Sequence, residues 1–160
     1  MNWIIRSTEI LKFHTNLKET LQPIWNDLTD YDWILTDFEY MPNGNKIPID
    51  YQHDYFLLNH EQFETLYQSQ IQIIWGIISA IPKNTNLDLR LISTLSAEDE
   101  KVWKSNEYLI PESFLEIIAF DSGYTILKFK DENLSNQFKE YFKEQAIDLQ
   151  KFTDKYNNQK

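Results

Sequence analysis

Residues 73–81 read IIWGIISAI, an unbroken apolar run of strand length that Pro82 ends. Such a run fits a strand buried on both faces, the central strand of a sheet. The wider apolar stretch over residues 71–82 is interrupted by Gln72, Gly76 and Ser79. It falls far short of the ~20 residues a membrane span needs. The expectation is a protein with no membrane segment.

The neighbouring segments supply further strands. Residues 31–40 (YDWILTDFEY) are rich in aromatic and branched side chains and lack Pro and Gly, so they read as a strand. Asn43-Gly44 marks a turn, residues 46–54 read as loop, and residues 55–58 as a short strand. Leu87, Leu89 and Leu91 alternate with Asp88, Arg90 and Ile92, which predicts a half-exposed strand. Residues 114–120 and 124–130 flank Asp121-Ser122-Gly123, the pattern of a hairpin with a three-residue turn.

Helical spacing occurs in three places. Ile10, His14, Leu17, Leu21, Trp25 and Leu28 form one stripe. It predicts a helix near 8–22, capped by Ser7 or Thr8 and broken by Pro23, then a turn or second helix to 28. Asn59 is an N-cap for a helix from 60 to about 70, with Phe63, Leu66 and Tyr67 inward. Leu134, Phe138, Tyr141, Phe142, Leu149, Phe152 and Tyr156 mark a last helix from Asp131 or Asn133, with a break near 145–146 and fraying from 157. Residues 96–106 read as surface loop. The pattern predicts one α+β domain over 1–160, its mainly antiparallel sheet packed against N-terminal, middle and C-terminal helices.

Charge is distributed unevenly. Residues 19–82 hold ten acids against one base, Lys46, a charge of −9 in a chain whose total is −10. A negative field of this kind steers a basic partner and argues against a nucleic-acid backbone as target. The plainer alternative is a solvated face that aids solubility. Trp33, Phe38 and Phe56 lie in this segment and read as core. Tyr40 and Tyr51 flank a turn and a loop beside Asp37, Glu39, Asp50 and Asp54. Rings interleaved with carboxylates are a pattern of binding surfaces, so these six residues are the candidate partner-binding patch.

Catalytic and cofactor signatures are absent from the sequence. Zero cysteines exclude disulfides, thiolate zinc and thiol catalysis. His60-Glu61 lacks the second histidine of a zinc-protease motif, and Asp50, His53, Asp54, His60 and Glu61 form only a loose metal-type grouping. No Gly-x-Ser-x-Gly, dinucleotide or P-loop pattern occurs, so no cofactor is expected. Paired carboxylates for acid–base work, such as Asp37 with Glu39 two apart on one strand, arise by chance in any acidic strand.

Small size, acidity, lack of cysteine and a mixed α+β pattern resemble the small immunity proteins of bacterial toxin–immunity systems. Residues 75–82 (WGIISAIP) and 114–121 (FLEIIAFD) are similar to strands of small bacterial domains of that kind. The resemblance implies a cytoplasmic, non-catalytic inhibitor that covers the active site of a basic cognate toxin or effector. The second reading is a self-associating structural or regulatory domain, as a homodimer. The third is an enzyme or small-ligand binder whose site carries no recognised motif.

Overall fold

The computed structural model describes residues 1–6 and 9–158. Its centre is a seven-stranded sheet in the order β3-β2-β4-β5-β6-β1-β7, antiparallel at every junction. The strands are β1 (Trp3–Ile5), β2 (Tyr31–Met41), β3 (Tyr55–Leu58), β4 (Gln72–Pro82), β5 (Leu115–Phe120), β6 (Tyr124–Phe129) and β7 (Ile147–Asp148). The helices are α1 (Leu17–Leu21), α2 (His60–Ser69), α3 (Leu89–Ile92), α4 (Glu132–Phe142) and α5 (Leu149–Asn157). The fold is α+β, as the pattern of elements predicts.

The apolar run becomes β4, flanked by β2 and β5, and residues 76–81 are buried. Alternate side chains supply two cores. Trp33, Leu35, Ile78, Ala80, Ile117 and Leu127 pack beneath α1, α2 and α4, which contribute Leu21, Phe63, Phe138 and Phe142. On the opposite face, Ile34, Ile77, Ile118 and Ile126 pack under Ile92, Ala97, Val102, Ile110 and Leu149. Helix α2 starts where the sequence places it: Asn59 Oδ1 accepts from Gln62 N while Gln62 Oε1 accepts from Asn59 N, a reciprocal cap.

Three expectations are corrected. Residues 87–91 form no strand; Asp88 Oδ1 accepts from Arg90 N and Leu91 N and starts the helical turn α3. The first helix is confined to α1, because Thr15 sits at φ 56° and Asn16, whose side chain accepts from Glu19 N, caps it. Ser7 and Thr8 lie outside the described residues. The segment 96–106 is no mere surface loop: Ala97 and Val102 are buried, and residues 100–103 make a 3-10 turn. Beyond these, β1 and β7 form from residues in which the sequence pattern shows no strand, and the last helix breaks near 145–146 as expected, into α4 and α5 around β7.

Two charged side chains hold the 101–110 segment to the sheet. Glu116 and Lys128 are paired positions on β5 and β6, and both are fully buried. Glu116 Oε1 and Oε2 accept from Leu109 N and Ile110 N, at 3.2 and 3.0 Å. Lys128 Nζ donates to the Lys101 and Glu107 carbonyls, each at 2.7 Å. Burial pushes the Glu116 carboxyl up and the Lys128 ammonium down to about 8. From about 8 to 10.5 the unfolded chain keeps a proton that folded Lys128 has released, so this residue adds stability as pH rises. The stability difference between wild type and Lys128→Met, measured by urea unfolding, is therefore expected to grow in favour of wild type from pH 7.5 to 10.5. A difference flat with pH would contradict this account of Lys128.

A β-bulge interrupts β2 against β4 between Thr36 and Glu39. Asp37 there has φ 49°, and Phe38 lies across Gly76, which has φ 148°. A Cβ on Gly76 would come 2.8 Å from Phe38 Cδ2 and 3.3 Å from Phe38 Cα. Gly76→Ala is expected to lose about 1–3 kcal/mol through strain and overpacking, read as a lowered denaturation midpoint. A loss within 0.5 kcal/mol would contradict the close approach.

Candidate functional site

The acidic segment 19–82 supplies α1, β2, β3, α2 and β4. The strand order places β3, β2 and β4 side by side as one end of the sheet. An asymmetry along the chain therefore becomes an asymmetry in space. Of the acids in this segment, Asp27, Asp30, Glu39, Asp50, Asp54, Glu61 and Glu64 are exposed.

A strap of residues 42–54 runs from β2 to β3 across this end. Asn43 Nδ2 and Asn45 Nδ2 both donate to the Ser69 carbonyl at the end of α2, at 2.8 and 2.9 Å. Ile49 is buried beneath the strap. The Tyr51 ring stacks flat on Tyr40, centroids 4.9 Å apart, and the Tyr51 hydroxyl donates to the Tyr40 carbonyl at 3.3 Å. Asp50 caps the local turn, accepting from Gln52 N and bonding His53 Nδ1 at 2.9 Å. The hydrogen bond from His53, then that from Gln52, holds the Asp50 carboxyl below its ordinary range.

The six candidate residues divide by environment. Glu39, Asp50 and Asp54 are exposed, and Tyr51 is 68% exposed. Tyr40 is not exposed: at 8% it belongs to the core, and burial raises the pKa of its phenol. Strand alternation explains the difference, since Tyr40 pairs with core Ile73 while Glu39 pairs with Trp75. Asp37 is turned inward. Its Oδ2 accepts from Trp75 Nε1 at 2.9 Å, Ala97 N at 2.8 Å and Ser96 Oγ at 3.3 Å. Asp37 thus pins the 96–97 turn to the bulge, while Glu39 makes no such bond among the described residues. Tyr40, Tyr51 and Asp50 come together; Glu39 lies beside Trp75, and Asp54 opens β3 with its carbonyl accepting from Thr36 Oγ1.

The loose metal-type grouping is dispersed. His53 binds Asp50, whereas His60 stacks on Trp25 at 4.9 Å. Among the described residues no group of three His, Asp or Glu side chains is placed to hold a metal. No helix among them is long and apolar enough to cross a membrane.

Sequence reasoning missed two features. One is a cavity of about 790 Å³ between the 100–106 segment and α5, lined by Trp103, Tyr124, Phe152 and Tyr156. Several of its rim groups are already engaged: Lys104 pairs with Glu100 and Glu107, and Gln150 Nε2 donates to Asp154. The second is a hollow of about 360 Å³ beside β3, lined by Asp32, Leu57, Ile81 and Leu87. Both depend on contacts between distant segments, which no local pattern encodes.

Asp37→Ala leaves the indole N–H of Trp75 and the Ala97 amide without their acceptor. The expected cost is about 1–3 kcal/mol in denaturation, against within 0.5 kcal/mol for Glu39→Gln. Equal small effects would contradict the division between an internal and a surface acid.

Comparison with protein-family models, curated proteins and solved structures finds no match for this chain.

Proposed function

We propose that this chain is a non-catalytic binding protein that neutralises a basic effector by covering its active site, as the resemblance to immunity proteins implies. The observation that supports this reading most is the gathering of the −9 segment at the β3 end of the sheet. Asp50 and Asp54 are exposed on an ordered strap that also exposes Tyr51, and Glu39 is exposed beside Trp75 on the neighbouring strand. Such a field raises the encounter rate with a basic surface by about 10–10³-fold, and salt weakens it. Tyr51, held flat on Tyr40, offers contact area at little entropic cost because its position is already fixed. Cytoplasmic residence is part of this proposal and rests on the sequence alone.

The test is recovery of partners by the tagged protein from its source cells, at low and high salt. One basic protein recovered near one-to-one and released by salt is the expected result; recovery of the bait alone would sink the reading. With that partner in hand, combined Glu39→Lys, Asp50→Lys and Asp54→Lys substitution is expected to cut the association rate at least about tenfold at low ionic strength. An unchanged rate would place the interface elsewhere.

A further inference from the structure

The two ends of the sheet are finished differently. At one end β7 has two residues, and the chain turns at once into α5, whose Leu149 N donates to the Asn2 carbonyl. At the other end β3 pairs with β2 through Trp33–Leu58, Ile34–Leu57, Leu35–Phe56 and Thr36–Tyr55. Among the described residues no hydrogen bond joins the backbone of residues 55–58 to any other element. In an antiparallel strand, alternate residues aim their N–H and C=O at the neighbour and the others aim away. Two of the four residues of β3 therefore present a ladder to the outside. The strand carries no Lys and no Pro, the usual guards of an edge.

Acids flank this edge at both ends. Asp54 precedes β3 and is exposed. Asp32 lies one position beyond the Trp33–Leu58 pair and lines the hollow with Leu57, Ile81 and Leu87. Its carboxylate has no hydrogen bond or ion pair among the described residues. Leu57 is 49% exposed beside that hollow. A side chain with an aliphatic stem and a cationic head fits both features, the stem on Leu57 and Leu87 and the head at Asp32. A second copy of this chain does not suit the edge, because pairing β3 with β3 would press two −9 segments together.

We propose that the basic partner docks by adding an extended strand rich in Lys or Arg along the free edge of β3, with one cationic side chain over Leu57 reaching Asp32. This rests on the reading of the chain as a binder of a basic partner. Main-chain bonds to β3 would supply the register, and Asp32 and Asp54 would select the charge of the incoming strand.

The probe is a synthetic ten-residue peptide of alternating lysine and valine. Its controls are the fully N-methylated peptide, equal in charge but without amide donors, and an alternating glutamate–valine peptide. Hydrogen exchange of the whole protein is followed by NMR at low ionic strength. The lysine–valine peptide is expected to slow exchange of outward β3 amides at least about tenfold, while neither control does so. Asp32→Lys with Asp54→Lys is expected to abolish that protection in a protein whose other amides still exchange as in wild type. Binding of both basic peptides without protection of β3 would overturn the edge docking and leave the acidic-surface reading standing. No binding of either basic peptide would overturn both.

Discussion

Glu116 and Lys128 face each other across β5 and β6, yet neither uses its polar atoms on the other. Both bond the backbone of the 101–110 segment, one through two amides and the other through two carbonyls. A buried charge is costly unless its hydrogen-bonding capacity is met, and an irregular buried segment is costly for the same reason. Each need here satisfies the other. The second core depends on this arrangement, since Val102, Leu109 and Ile110 reach Ile77, Ile118 and Ile126 only because the segment lies flat on the sheet. Apolar residues at both positions would leave four backbone groups without those partners.

The other organising constraint is the bulge at Asp37. The bulge lets Phe38 lie on Gly76 and turns Asp37 toward Trp75 and the 96–97 turn. Beyond it β2 continues to Met41, and the strap returns along the same end of the molecule. The exposed acids thus stand on a frame tied down by the inward one. The half-buried carboxylate fixes geometry, and the solvated ones set the field.

Much of this was legible in the sequence where a signal is local. The unbroken run of β4, the turn at 121–123 and the Asn59–Gln62 cap each need only their own neighbours. Residues 89–92 misled because Leu87, Leu89 and Leu91 alternate over too few positions to separate strand from helical turn, and the Asp88 cap decides. The helical stripe from Ile10 continued on paper through Thr15, whose left-handed backbone follows from tertiary packing, including the Thr15–Thr125 hydroxyl pair. Within the site, adjacency to charge suggested that Tyr40 was exposed. Strand alternation put Glu39 outward and Tyr40 inward, and only Tyr51 carries the ring to the surface. The role of Asp37 could not be read without knowing that β2 and β4 pair.

Strand β1 has a consequence for the order of folding. Its three residues sit between β6 and β7, so Trp3 pairs with Leu127 on one side and Asp148 on the other. The Trp3 indole finds its acceptor on Ser135, 132 residues further along the chain. A ribosome therefore releases the β1 segment long before any of its partners exist. The β2–β3–β4 end, whose pairings are closer in sequence, can assemble first, whereas β1 can dock only once β6 exists and β7 can add only on β1.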